Sequence, residues 1–199
     1  MNIISGLSSI TKYNTPKPIV YLTLSNSNFT SPVVSNNNQI GISYTSVPSW
    51  PSSGTGTSND CRILNNLTGN NASPYTYNAV VNGQTITTVL YMAQDIATAP
   101  QTITLYQNVS FPSAGTYYLS AWIAPRKTYY NNSQSFSLSI NNTILTTNSF
   151  TTGTTTQPFI QVIGTWTCPS AGSYPIQLKW IQTAANDSTI IVTGIQLYH

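Results

Sequence analysis

Acidic residues are nearly missing from this 199-residue chain, which has no Glu and only three acids, Asp60, Asp95 and Asp187. Its single His is the last residue, His199. General acid–base catalysis draws mainly on His, Glu and Asp, and a glycosidase needs two carboxylates that flank one bond. Because the three acids are widely separated along the sequence, we predict that the chain is not an enzyme, has no catalytic residues and uses no cofactor.

Positive charge is sparse as well. Charged residues make up 5% of the chain, and the formal net charge is +3. Of the six Lys and Arg residues only Arg126 and Lys127 are adjacent, whereas a nucleic-acid-binding protein concentrates basic residues along one face. The sequence therefore predicts no nucleic-acid partner.

Long apolar runs and metal-ligand clusters are also missing. No run approaches the roughly 18 apolar residues of a membrane span, and residues 1–7 have neither the charged region nor the apolar stretch of a secretory signal. Cys61 and Cys168 could form a disulfide, but two cysteines without a secretion signal are more often free thiols, and both alternatives stay open. No Cys or His spacing indicates a metal site. We expect a protein made in the cytoplasm that does not insert into membranes.

Hydroxyl and amide side chains are abundant instead. Thr, Ser and Asn supply roughly two-fifths of the residues. Ordinary soluble domains contain a much larger fraction of charged residues. Thr, Tyr, Val and Ile favour pleated surfaces, and strong helix formers are scarce. The composition therefore predicts β-structure with a polar but weakly charged surface.

One short stretch occurs twice, 57 residues apart. Residues 112–115 read Pro-Ser-Ala-Gly, residues 169–172 repeat them, and Tyr117 and Tyr174 follow at the same position. Pro and Gly are typical of tight turns, and each copy lies between two runs of β-branched and aromatic residues. We interpret the copies as equivalent hairpin corners of one antiparallel sandwich.

The remaining turn signals divide the chain into about ten to twelve short strands and no convincing helix. Asn82-Gly83 is the strongest hairpin signal. Strands at this spacing indicate an all-β antiparallel sandwich of the jelly-roll type. The prolines near residue 18 favour an extended tail. We expect an N-terminal arm over residues 1–18 and a single sandwich domain over residues 19–199.

Alternation along the strands assigns the faces. Ile103, Leu105, Val109 and Phe111 share the inward side of one strand, and Tyr117, Leu119, Ala121 and Ile123 that of the next. By the same parity Trp180 points inward, and Trp122 points outward on the same side as Tyr118.

Three stretches carry a resemblance to a known group. Residues 28–32 followed by Trp50, residues 101–122 and residues 187–197 are similar to the opening, the central turn and the closing strand of the galactose-binding-like jelly rolls, which include many carbohydrate-binding modules. The resemblance implies that sandwich fold. Thr30 and Thr193 stand where the group has acids, so the structural calcium site that such modules often have is not expected here.

Two functions fit these observations. We first expect a non-catalytic structural subunit of a virus particle, a minor capsid or capsid-decorating protein located in the virion, because a polar surface of low charge lowers the cost of burying large contacts with other subunits. The composition also resembles that of structural proteins of large DNA viruses.

The alternative is a carbohydrate-binding module at the cell surface or outside the cell. Exposed aromatic rings with a few polar groups are typical of sugar sites. The candidate glycan-binding residues are Trp122, Tyr106, Tyr118, Arg126, Trp50, Tyr129 and Tyr130.

Overall fold

A computed structural model describes residues 18–29, 40–43, 47–54, 60–64, 79–81, 84–86, 89–92, 101–125, 134–150, 159–183 and 190–199. Every regular element within these ranges is a strand, and no helix in them is long and apolar enough to cross a membrane. The fourteen strands of this part of the chain are β1 (Tyr21–Leu22), β2 (Ile40–Ser43), β3 (Ser52–Gly54), β4 (Asp60–Leu64), β5 (Ala79–Val81), β6 (Gln84–Ile86), β7 (Val89–Met92), β8 (Gln101–Phe111), β9 (Gly115–Pro125), β10 (Gln134–Ile140), β11 (Thr143–Ser149), β12 (Ile160–Cys168), β13 (Gly172–Gln182) and β14 (Ile190–Tyr198).

The strands form two antiparallel sheets that enclose one core. The first sheet has the order β12-β9-β14-β7-β4-β2, with β1 also paired to β14, and the second has the order β11-β10-β13-β8-β3. A separate hairpin, β5–β6, turns at the predicted Asn82-Gly83 position. The predicted all-β antiparallel sandwich is confirmed, with fourteen strands in the described part of the chain where the sequence indicated about ten to twelve.

The predicted faces of the long strands are confirmed. The predicted inward residues are buried, namely Ile103, Leu105, Val109 and Phe111 of β8 and Tyr117, Leu119, Ala121 and Ile123 of β9. Trp180 is fully buried in β13, while Trp122 lies on the outer side of β9 and is half-buried. Alternation alone thus located the core between the two sheets.

The repeated Pro-Ser-Ala-Gly stretches are not hairpins, and that prediction is wrong. The chain passes from β8 in the second sheet to β9 in the first, and later from β12 in the first sheet to β13 in the second. The strands on either side of each turn therefore do not pair with each other. Each pairs with the other copy instead, so that Phe111 lies opposite Gly172 and Gly115 lies opposite Cys168.

The tyrosine of each copy closes its corner. Tyr117 donates its hydroxyl to the carbonyl of Ser113 at 3.0 Å, and Tyr174 donates to the carbonyl of Ser170 at 3.2 Å. The side chain reaches back four residues to a turn carbonyl that no strand partner can satisfy. This bond explains why Tyr recurs at the same position of both copies.

Aromatic rings fill the core beneath the two corners. Phe111 meets Tyr117, Trp166 and Tyr174 edge-on, with ring centroids 4.8, 5.1 and 5.6 Å apart. Edge-to-face contacts of this kind stabilise a core beyond the area they bury. The two copies are therefore joined through one aromatic cluster as well as through both sheets.

Several other sequence predictions can be placed. Asn141 and Asn142 form the turn between β10 and β11, with φ values of 50° and 63° that suit Asn. The stretch after Trp50, interpreted as a loop, contains β3. Cys168 is a buried free thiol, while the side chain of Cys61 lies outside the described residues. The predicted arm also lies outside them, except for residue 18.

Candidate functional site

Three tyrosines form a row across the outer face of the first sheet. Tyr21 of β1 lies opposite Tyr198 of β14, and Tyr198 lies opposite Tyr118 of β9. Directly paired residues on one face of antiparallel strands bring their side chains into contact. The three rings, called the tyrosine row from here on, are thus brought together by strand register alone.

The rings of the row stand close to one another. Tyr118 and Tyr198 are stacked, with centroids 5.3 Å apart and planes 18° apart, while Tyr21 is tilted by 49° against Tyr198 at 5.5 Å. Tyr21 is 49% exposed and Tyr118 is 37% exposed. The middle ring therefore has neighbours on both sides, while Tyr21 and Tyr118 are the more exposed rings at the two ends of the row.

The middle hydroxyl stays protonated at neutral pH. Burial raises the pKa of Tyr198 above its usual value near 10.0, and the phenols of Tyr21 and Tyr118 raise that pKa further. Ionisation would place a negative charge in a partly buried position beside two other phenols. Tyr198 can therefore both donate and accept a hydrogen bond across the physiological range.

The strand beside the row continues an exposed, neutral surface. Thr165 of β12 pairs with Tyr118 and is exposed, and Ile163 is 47% exposed on the same face. No charged residue occurs in β9, β12 or β14. Because the side chain of Thr165 is short, it does not cover the face of the Tyr118 ring that points away from Tyr198 and toward β12.

The opposite end of the same face is covered. Ala124, Ile191 and Thr193 point outward yet are buried, and the β5–β6 hairpin lies against β14. Trp122 stands at the border between the covered and the open part. The Nε1 of Trp122 is buried and has no hydrogen-bond partner among the residues that the structure describes.

The structure brings together only some of the predicted glycan-binding residues. Tyr118 and Trp122 share the outer face of β9, four residues and about 13 Å apart. Tyr106 lies on the second sheet, half-buried, on the opposite side of the sandwich. The predicted positions Arg126, Tyr129 and Tyr130 fall outside the described residues.

Trp50 is not a surface residue. It is fully buried, 6.2 Å from Phe29, and its Nε1 donates to the carbonyls of Ser25 and Asn26 at 3.1 and 3.2 Å. Its ring fills the core and its one donor is used within the chain. It cannot offer a ring face to a sugar in this structure, which corrects that part of the sequence prediction.

Sequence reasoning missed Tyr21 and Tyr198. Both lie in segments recognised as strands, and alternation would have placed each ring on a defined side of its own strand. Their contact depends on the pairing of β1 with β14, which are separated by most of the chain. No local signal in the sequence specifies that pairing.

Among the residues that the structure describes, no group of three or more His, Cys, Asp or Glu side chains could hold a metal ion. The candidate site therefore consists of aromatic rings, hydroxyls and amides. Such groups recognise neutral polar molecules through stacking and hydrogen bonds.

Comparisons with known proteins show the fold. No protein-family model matches the sequence, and no curated protein sequence matches it. The Stig cyclase Fisc from Fischerella sp. TAU, solved in complex with (3Z)-3-(1-methyl-2-pyrrolidinylidene)-3H-indole, is 14% identical, with 91% of this chain and 98% of that chain covered at a TM-score of 0.62.

Two further neighbours are associated with sugars. The module TmCBM61 in complex with β-1,4-galactotriose is 13% identical over 88% of this chain and 97% of that chain, with a TM-score of 0.50. The arabinose-bound α-L-arabinofuranosidase MgGH51 is 14% identical over 89% of this chain and 26% of that chain, with a TM-score of 0.55. The resemblance to carbohydrate-binding jelly rolls is thereby confirmed at the level of fold.

These comparisons correct two expectations. The prediction that the chain is not an enzyme is wrong, since a cyclase has this fold over 98% of its own length. A scarcity of acids therefore does not separate this chain from enzymes. The expected role as a virus-particle subunit gains no support from the neighbours, because likeness at this level of identity shows the fold alone.

Proposed function

We propose that this chain binds a neutral glycan on the tyrosine row. The observation that carries the proposal is the in-register alignment of Tyr21, Tyr198 and Tyr118 on an exposed face of the sandwich, where β9, β12 and β14 contain no charged residue. The likeness in fold to a module solved with β-1,4-galactotriose supports it. We also propose that residues 19–199 form one binding domain and that it acts at a cell surface or outside the cell.

The position of each ring in the tyrosine row gives it a different role in glycan binding. The exposed rings of Tyr118 and Tyr21 can contact the apolar C–H face of a sugar ring, while Tyr198, which lies between them, contributes its hydroxyl. The exposed amide of Gln161 and the half-buried amide of Gln196 lie on the same face of the sheet. Amides of this kind donate to and accept from sugar hydroxyls.

The lack of charged residues in β9, β12 and β14 indicates which class of glycan would bind. An acidic polysaccharide is held by Lys or Arg, and β9, β12 and β14 contain neither. A neutral chain meets no charged side chain on these three strands. We therefore expect neutral oligosaccharides of galactose or arabinose to bind, and uronic-acid polymers to bind more weakly.

The test is affinity electrophoresis and calorimetry of the full chain with β-1,4-galactotriose, arabino-oligosaccharides and a polyuronate. Tyr118→Ala should weaken binding of the preferred neutral glycan at least tenfold. Tyr106→Ala is the matched control, because it removes a half-buried tyrosine from the opposite face, and its affinity should stay within twofold of the unaltered chain. Equal affinities of the two variants, or no binding to any neutral glycan, would exclude the proposal.

A further inference from the structure

A second concave surface lies on the other side of β1, away from the tyrosine row. It is a pocket of about 390 Å³ between the end of β1 and the edge of β8. Pockets that hold small ligands begin at about 300 Å³. Its lining residues are Leu22, Thr23, Ser25, Ser49, Gln107, Asn108, Val109 and Ser110.

One wall of the pocket is an open strand edge. β3 pairs with β8 only at residues 103–105, and the N–H of Tyr106 then donates to the carbonyl of Pro51 at 3.0 Å. Pro51 has no N–H that could donate a hydrogen bond to β8, so the β3–β8 ladder ends at this residue. β8 nevertheless continues to Phe111 with an unbroken register on its other side, against β13.

The main-chain groups beyond this point face the pocket. N–H and C=O of alternate residues point to the same edge of a strand, so Asn108 and Ser110 present theirs on the side that Tyr106 uses toward Pro51. None of these groups has a backbone partner within the described part of the chain. The side chains of Asn108 and Ser110 are exposed as well.

The opposite wall is fixed by the amide of Gln107. Its Oε1 accepts the N–H of Ser25 at 2.9 Å, and its Nε2 donates to the carbonyls of Ser25 and Ser49, each at 3.0 Å. The buried indole of Trp50 donates to the carbonyl of Ser25 as well. Four hydrogen bonds from two side chains thus hold this wall at a set distance from β8.

The same wall contains strained backbone. Asn26, Phe29 and Ser49 have positive φ values of 50°, 53° and 67°, a region that residues other than Gly rarely occupy. Asn26 Nδ2 donates to the carbonyl of Pro48 at 3.0 Å, which ties the two strained turns together. Strain that the surroundings enforce concentrates at binding sites, where it preorganises the shape of the wall.

We infer that this pocket binds a single neutral, hydroxyl-rich unit such as one sugar ring, in a site separate from the tyrosine row. No lining residue is charged, five are small polar residues with exposed side chains, and Leu22 and Val109 supply an apolar patch. The free N–H and C=O groups of Asn108 and Ser110 match the alternating donors and acceptors of a polyol. The preorganised opposite wall lowers the entropy lost when the ligand binds.

An extended peptide is the competing occupant, because it would pair with the same strand edge. The segment from Leu22 to Ser25 faces that edge across the pocket and limits the space to a short ligand. A compact ring fits such a volume better than a strand, whose affinity comes from a long ladder.

The test is a titration of the full, ¹⁵N-labelled chain with neutral monosaccharides, namely galactose, arabinose, glucose and mannose, followed by NMR. At least one should shift the amide signals of Asn108 and Ser110 in a saturable manner. Ser110→Leu, which fills the pocket from an exposed position, should weaken that binding at least tenfold, whereas Asn108→Ala, which keeps the main-chain N–H and C=O, should weaken it less. Asn148→Ala on β11, at the far edge of the same sheet, is the control and should leave the affinity within twofold.

The outcomes separate this site from the tyrosine row. Tyr118→Ala should leave the Asn108 and Ser110 shifts intact, so that either site can fail without the other. Saturation of these signals by a neutral extended tripeptide, but by none of the monosaccharides, would overturn the sugar assignment in favour of strand addition. Monosaccharide binding that Ser110→Leu does not weaken would place the ligand elsewhere and equally overturn it.

Discussion

Tyr117 donates its hydroxyl to the carbonyl of Ser113 from a fully buried ring, whereas the equivalent bond from Tyr174 to Ser170 is exposed to solvent. The carbonyl of Ser170 also accepts a hydrogen bond from the thiol of Cys168 at 3.0 Å, so it keeps a partner when Tyr174 loses its hydroxyl. A lost hydrogen bond costs more when the group left behind cannot turn to water.

We therefore expect Tyr117→Phe to lower the free energy of unfolding by about 1 kcal/mol and Tyr174→Phe to lower it by clearly less. Urea unfolding followed by tryptophan fluorescence measures both. Equal losses in the two variants would show that the corner bond contributes independently of burial.

Gly164 in β12 packs against Leu145 of β11 so closely that any added Cβ would collide with the Leu145 side chain. Gly164→Ala should destabilise the fold by about 1–3 kcal/mol through overpacking. Gly172→Ala is the matched control, since its nearest neighbour would lie 3.4 Å away. The colliding atom is the Cβ of Leu145, so in the double variant Gly164→Ala, Leu145→Gly the cost should be less than the sum of the two single changes, and strict additivity would argue against a direct clash.

The raised pKa of Tyr198 predicts loss of stability at alkaline pH. The folded state favours the protonated phenol, so this contribution is complete below the usual tyrosine pKa near 10.0 and is lost as pH rises through the higher folded pKa. Urea midpoints measured between pH 8 and pH 11.5 should fall more steeply for the unaltered chain than for Tyr198→Phe. Parallel curves would show that ionisation of this phenol does not affect stability.

Trp50 links the core to the pocket wall, and its loss should affect both. Trp50→Phe removes the donor to the carbonyls of Ser25 and Asn26 and should lower the free energy of unfolding by about 1–3 kcal/mol. It should also weaken monosaccharide binding at the pocket. Trp166→Phe removes an indole from the aromatic cluster without touching that wall, so it should reduce stability but not affinity.

The sequence predicted those features that depend on neighbouring residues. Alternation in β8, β9 and β13 placed Phe111, Tyr117 and Trp180 in the core, because a period of two leaves each side chain only two directions. Asn82-Gly83 marked the β5–β6 hairpin, because Asn-Gly is typical of two-residue hairpin turns that need residues tolerant of positive φ.

Features that depend on contacts between residues far apart in the sequence were not predicted. A Pro-Ser-Ala-Gly turn fits both a hairpin and a passage between sheets, and only the pairing of Phe111 with Gly172 decides between them. Trp50 precedes Pro51 and a Ser/Gly-rich stretch, so local composition suggested a surface position. Its burial is explained by Phe29 and by two carbonyl acceptors more than twenty residues away.

The crossed pairing of the two repeats has a consequence for how the chain folds. The two strands that flank the first corner do not pair with each other, since β8 pairs with β13 and β3, and β9 pairs with β12 and β14. During synthesis the apolar faces of the first repeat therefore stay uncovered until the second repeat has been synthesised. Ladders that join residues so far apart form slowly, because the loop between them must first be closed. Collapse of this sandwich is thus limited by the arrival of its last third rather than by any local turn.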